Sequence, residues 1–344
     1  MANRSGPVLS LGEVLFDFIA TDGATTLEAA SAFVARPGGA PANVAVALAR
    51  LGVASAFGGV VGQDAFGRRL RATLADEGVD VTRLRATNEA ETTLAFAWTD
   101  AAERGQFWLP RRAAADRFLS RQDVEAAGIG ETAALCLGSV ALSAEPSRGA
   151  VTLAAAAAAH HQVPVCFDVN LRPALWPNLA AARDACRPIF ERATLVKLSL
   201  DDARSLLGLS AAETADPAAV LEHFWHAVPT TDVRAMVLTD GGRGCWYTSQ
   251  VEADGGVGHG PIHHRPAFPV RAVESTGAGD AFFAALISRL LARDWAAPEE
   301  ADIRFAAAAG ALATTRHGAI AALPTAAEVE EFLRSSQEPV ASSQ

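Results

Sequence analysis

Between residues 120 and 240 strand-length apolar runs alternate with helix-length segments, and no other feature restricts the fold as much. Strands are expected at 133–140, 164–169, 195–198 and 235–239. Between them the spacing predicts helices at 146–161, 179–193 and 216–227, and another opened by 199–202. Such an alternation packs as a parallel, doubly wound sheet with helices on its faces. The alanine run 154–159 suits a helix lying close on that sheet. After Gly241-Gly242-Arg243-Gly244 the chain turns back at 245–248, and a loop rich in Gly and His follows. Helices at about 299–316 and 325–335 complete the chain, and the tail 336–344 is expected to be disordered. Residues 1–335 read as a single α/β domain.

The first third has a different rhythm. Residues 7–19 alternate like one strand interrupted by Asp17. A strand at 54–61 precedes a helix at 68–77, with Asp64 as its cap and Gly78 as its stop. Residues 92–99 and 105–110 read as a hairpin, followed by Arg111, Arg112 and Asp116.

Composition removes several functions. A net charge of −10 argues against nucleic acid or an anionic membrane as the main partner. Lys197 is the only lysine, so no Gly-x4-Gly-Lys-Ser/Thr phosphate loop exists, and a phosphate must rest on backbone amides and arginine. The G-x-G-x-x-G dinucleotide pattern is absent: the nearest stretch, at 277–282, ends in Phe282. No Gly-x-Ser-x-Gly elbow supports acyl transfer. The cysteines 136, 166, 186 and 245 lie far apart, as reduced structural thiols of a cytoplasmic protein would. His259, His263 and His264 sit on the glycine-rich loop without a partner acid, which argues against a metal centre there. The longest charge-free run, 149–167, contains His160, His161, Gln162 and Pro164 and does not read as a membrane span.

Two glycine turns each open an apolar helix. Ser275-Thr276-Gly277-Ala278-Gly279-Asp280 precedes Phe282, Phe283, Leu286, Ile287, Leu290 and Leu291 at helical spacing. So small a turn leaves the first N–H groups of the helix unpaired, with the positive end of its dipole behind them. That is a seat for a phosphate. Asp280 stands at its lip, where it could take a proton from a hydroxyl attacking phosphorus. Read alone, the same residues are equally an ordinary helix start with an acidic first turn. The second turn, Arg36-Pro37-Gly38-Gly39-Ala40-Pro41-Ala42-Asn43, allows close backbone approach of a ligand, and Asn43 offers a donor and an acceptor. Asp17 is either an edge-strand carboxylate facing water or a ligand group. Asp168-Val169-Asn170-Leu171-Arg172 lies where a parallel strand ends, the usual ligand edge of such a sheet. Together these features describe a kinase for a polyhydroxylated small molecule.

The two turns match both signatures of the ribokinase-like (PfkB) carbohydrate kinases, and the chain resembles the fructokinase-like branch of that family. Supporting matches are Gly12-Glu13 with Asp17, the 61–67 stretch, Asp168-x-Asn170-x-Arg172, and Gly318-Ala319 ahead of Pro324-Thr325. The resemblance implies a three-layer α/β/α doubly wound sheet with a small β-sheet lid built from about 14–38 and 92–112. It implies ATP and Mg²⁺ as cofactors, Asp280 as catalytic base, and Gly277, Ala278 and Gly279 as the anion hole. Asp17, Gly38, Gly39, Asn43, Phe107, Arg111 and Arg172 are the implied sugar contacts. Lys197, Ser199, Thr239, Gly241, Gly244, Thr276 and Gly310 are the implied nucleotide side. An inward Arg111 would favour an acidic sugar, an exposed one a solvated lid. Two departures stand out. Ser199 and Asp202 replace the family's Asn-x-x-Glu, so Asp202 would reach magnesium through water. Glu274 replaces an Asp that helps hold a monovalent cation, with K⁺ the expected ion. D-fructose is the expected substrate and a homodimer through the lid the expected assembly. The alternatives are a kinase for 2-keto-3-deoxygluconate, another keto-sugar or a nucleoside, and a non-catalytic sugar-binding homologue.

Overall fold

The computed structural model describes residues 5–102, 105–210, 212–228, 232–253 and 256–336. Its first part runs β1 (Val8–Leu11), β2 (Leu15–Ala20), β3 (Phe33–Gly38), α1 (Ala40–Arg50), β4 (Ser55–Gly62) and α2 (Ala65–Asp76). Then come β5 (Leu84–Thr87), β6 (Leu94–Thr99), β7 (Gly105–Trp108), α3 (Arg121–Ala126), β8 (Ala134–Gly138) and α4 (Ser147–His160). The middle holds β9 (Val165–Asp168), α5 (Leu179–Phe190), β10 (Leu195–Ser199), α6 (Leu200–Leu207), α7 (Pro217–Ala227) and β11 (Ala235–Thr239). The chain ends with β12 (Cys245–Ala253), β13 (Gly256–His259), β14 (His263–Arg265), α8 (Ala278–Ala292), α9 (Glu300–Ala313), α10 (Ala319–Ala322) and α11 (Ala326–Ser335).

A large sheet in the order β13-β12-β11-β10-β9-β8-β1-β4-β5, with β14 on β12, forms the middle layer. The pairs from β5 to β11 are parallel, and β12 turns back antiparallel. Its strands are apolar on both faces because both faces are covered. The alternation is strict. Ala134 and Cys136, Cys166, Leu195, and Ala235 and Val237 enter one core with α1, α8 and α9. Leu135 and Leu137, Val165 and Phe167, Val196 and Leu198, and Met236 and Leu238 enter the other with α4 to α7. Three layers follow from period-two burial. Ala154, Ala155 and Ala158 of the alanine run are fully buried there.

A separate four-stranded sheet, β3-β2-β6-β7, comes from the two segments expected to form a lid. Residues 7–19, read as one strand, are two strands in two sheets: β1 stays in the large sheet and β2 crosses to the small one. The break is at Gly12, where a Cβ would lie 2.7 Å from Pro41 Cγ, so the chain passes close under α1 there. The Gly- and His-rich stretch expected to be a loop carries β13 and β14, because the long β12 offers a free edge that both pair with. All but the first residue of the expected disordered tail lie outside the described residues. No helix among them is long and apolar enough to cross a membrane. All four cysteines are free and buried.

The small sheet is fastened to the large one by buried charge. Asp116 accepts from Thr93 Oγ1 at 2.5 Å, at the entrance to β6, and pairs with Arg111. Arg111 also donates to Val140 O at 2.8 Å and to Ser143 Oγ at 2.5 Å. Removing one partner of a buried pair strands the other charge. We expect Asp116→Ala to cost about 3–5 kcal/mol in urea unfolding. Breaking the surface pair Arg121–Glu125, 75% and 56% exposed, should cost under about 1 kcal/mol.

Candidate functional site

A cavity of about 470 Å³ opens between the C-terminal edge of the large sheet and the small sheet. Parallel strands end there, so the loops after β1, β8 and β9, with Lys197 of β10, supply its floor. The N-termini of α1 and α8 converge on it, bringing Gly39 and Asn43 from one turn and Thr276, Gly277, Gly279 and Asp280 from the other. Asp17 and Phe107 reach it from the small sheet, Arg172 and Lys197 from the large one. The two glycine turns, more than 230 residues apart in sequence, thus face one space.

The turn before α8 is shaped by exclusion. Gly277 is left-handed at φ 82°, and a Cβ on it would lie 3.1 Å from Ala319 Cα. A Cβ on Gly279 would lie 2.9 Å from Lys197 Nζ. Ala278, expected in the anion hole, donates its N–H to Ser275 O at 3.2 Å. The N–H groups of Gly277, Gly279 and Asp280 have no protein acceptor among the described residues. These unpaired donors at a helix N-terminus fit a phosphate. Beside them Lys197 Nζ lies 2.9 Å and 3.1 Å from the Asp168 oxygens, all buried. Burial alone would depress the ammonium, but Asp168, Asp280 and Asp202 outweigh it and hold its pKa above the ordinary value.

Asp280, in the first turn of α8, is 7% exposed. Asn43 Nδ2 donates to its Oδ2 at 2.8 Å. Burial raises the Asp280 pKa against the opposing pull of that bond, Lys197 and Arg172. Asp17 is raised to about 6 by burial, with Arg172 opposing. Arg172 is aimed by a bond to Asn170 Oδ1 at 2.7 Å and lies over the Phe107 ring, 5.9 Å from its centre.

Glu13, absent from the expected contacts, lines the cavity too. It is buried, its Oε2 has no partner among the described residues, and burial pushes its pKa to about 7. Asn43 Oδ1 is likewise unpartnered. Buried acceptors without partners fit a ligand that brings hydroxyls. The sequence signal for Glu13 was an acid inside an apolar run, masked by the more conspicuous Asp17.

Other expected contacts lie elsewhere. Arg111 is inward yet does not line the cavity, because Asp116 holds it; the acidic-sugar implication does not follow from its burial. Gly38 stands behind the Asp17 carboxylate, where a Cβ would clash with it. Ser199 and Asp202 form a capping box at α6. The Asp202 oxygens accept the N–H groups of Ser199 and Leu171, each at 2.9 Å, so this carboxylate has structural work and does not fit a direct metal ligand. Glu274 Oε2 accepts from Gly318 N–H at 3.0 Å and lies 3.2 Å from His317 Nδ1. Thr239 ends β11, and Gly241 and Gly244, at φ 48° and 96°, make the turn into β12 beyond the cavity. Gly310 lets α9 approach α8: its Cβ would lie 3.2 Å from Ala278 O.

The sequence profile described as pfkB family carbohydrate kinase matches residues 7–326. Fructokinase-1 of Oryza sativa subsp. japonica is 38% identical over 97% of this chain and 100% of its own length. The crystal structure of a Vibrio cholerae O395 fructokinase double mutant, in fructose, ADP and potassium ion bound form, is similar with a TM-score of 0.78. It is 31% identical over 97% of this chain and 100% of that one. An ATP-bound fructokinase from Xylella fastidiosa matches with a TM-score of 0.79 at 29% identity over 96% and 99% of the two chains. A profile match across nearly the whole chain, full-length relatives and a shared fold lead to one conclusion: the chain belongs to the pfkB family of carbohydrate kinases.

Proposed function

We propose that this ATP-dependent carbohydrate kinase phosphorylates D-fructose, with Asp280 as general base. The observation that carries the reading is a buried carboxylate facing the same cavity as the unpaired N–H groups of Gly277 and Gly279. A sugar hydroxyl seated against Asp280 gives up its proton as its oxygen attacks the γ-phosphorus, and the bond to the ADP oxygen breaks. The bond from Asn43 holds one carboxylate oxygen and leaves the other for the hydroxyl. The turn amides and Lys197 stabilise the charge on the phosphoryl oxygens. Magnesium accompanies the nucleotide in this reading and supplies charge neutralisation. Asp202, whose oxygens each keep a further acceptor site, would reach it through water. Potassium is proposed through the loop that Glu274 ties beside the anion turn.

A neutral ketose is favoured over an acidic sugar because the free charge of the cavity is acidic. Glu13, Asp17 and Asp280 face it, Lys197 is paired with Asp168, and Arg172 remains. We propose that Glu13, Asp17 and Asn43 hold the sugar hydroxyls and that the small sheet closes over them and excludes water. Its open edges carry the exposed Val34, Phe107 and Trp108, which supports a homodimer through that sheet.

Asp280→Asn should lower kcat by about 10²–10⁴-fold or more while ATP still binds, measured by coupled turnover and nucleotide titration over a panel of ketoses, sugar acids and nucleosides. Turnover near that of the unaltered enzyme would sink the base assignment. An unaltered enzyme inactive on every sugar would favour the non-catalytic homologue.

The base works only when ionised, and burial raises its pKa. The kcat/KM profile should therefore fall on acidification along a limb above the ordinary Asp value of about 4. A limb at or below that value would contradict a buried base.

Glu13 has a folded pKa of about 7 against an ordinary 4.5, so the folded state binds its proton more tightly and stability falls as pH rises through that window. Glu13→Gln should be more stable than the unaltered chain at pH 8, by on the order of 3 kcal/mol, with the gain vanishing in acid. The same variant should raise the KM for fructose. Thermal unfolding against pH and initial rates test both halves.

A further inference from the structure

We propose that Glu222, His226 and His259 form a surface site for a transition-metal dication of the zinc class. Their ligand atoms, one carboxylate oxygen and two ring nitrogens, all lie within 4.8 Å of one another. Glu222 and His226 are four residues apart on α7 and so project from the same face. His259 ends β13, at the outer edge of the large sheet. The acid lacking beside the histidines in sequence is supplied by a helix more than thirty residues earlier.

The arrangement has features beyond proximity. His259 Nδ1 lies 2.8 Å from Gly260 O. A carbonyl only accepts, so Nδ1 carries the proton and Nε2 presents its lone pair. This backbone bond behind a ligating ring is the support that metal-bound histidines use. The rings of His259 and His226 have centres 5.4 Å apart at 65°, and the buried Trp225 packs edge-on against His259 at 5.8 Å. Two imidazoles and one carboxylate select zinc, nickel, cobalt or copper over magnesium and calcium. The exposed rim leaves a position for water, completing four ligands. Occupied, the site would pin α7 to the outermost strand of the sheet. None of the three residues lines the kinase cavity.

The test uses the tag-free full chain, stripped with chelator and titrated with Zn²⁺ against a chromophoric competitor. One zinc per chain is expected, with a thermal midpoint that rises with zinc concentration. His226→Gln and His259→Gln should each weaken binding by about tenfold or more. Sugar phosphorylation by these variants should be unchanged, which also reports that they fold. On the unaltered chain Co²⁺ should give the visible bands of a four- or five-coordinate nitrogen/oxygen site, a readout that needs no variant. Absence of stoichiometric binding at about 100 µM zinc, far above the affinity of a built site, would overturn the proposal. So would unchanged affinity in the double variant, which would assign the metal to other histidines.

Discussion

The close approach of two helix N-termini to one cavity is the constraint on which the rest of this molecule depends. Helix starts leave unpaired donors, and two of them converge on a space that also contains buried carboxylates. Two of those charges are answered within the protein. Asn43 from α1 holds Asp280 on α8, and Asp168 holds Lys197. The approach is possible only where side chains are missing. A Cβ on Gly39 would lie 2.6 Å from Glu13 O, and Gly277 and Gly279 face similar limits. The glycines are thus conditions of assembly as well as of ligand access.

The electrostatics follow from that geometry. Asp280, Asp17 and Glu13 all have raised pKa values, and burial is the leading cause in each case. Groups of one sign, Glu13 and Asp17 from near the start of the chain and Asp280 from α8, are held around one cavity with few free cations. This is costly for folding and suits a polyol that brings donors to unpartnered acceptors. The buried Arg111–Asp116 pair shows the contrasting solution, in which opposite charges pair with each other and help fasten the small sheet.

Several residues read as ligands from sequence have structural duties. Ser199 and Asp202, which stand in place of the family's Asn-x-x-Glu, also fit a capping box, and they make it at the start of α6. Gly310 was expected beside the nucleotide and lies where two helices touch. Glu13, part of the Gly12-Glu13 match, is missing from the expected contacts because an acid at a strand end gives no sign of which way it faces. The three metal-site candidates show the same limit, since Glu222 and His259 become neighbours only when β13 pairs beside α7.

What the chain announced by itself was local: strand and helix periods, caps, and the two turns with the acids beside them. These follow from backbone sterics and from which residues avoid water, and a short window suffices to read them. Only the tertiary structure decided which acids face the cavity and which face a backbone amide. It alone also divided residues 7–19 between two sheets. Such choices depend on long-range packing and on the cost of leaving a buried polar group unpaired, and neither is a property of neighbouring residues in sequence.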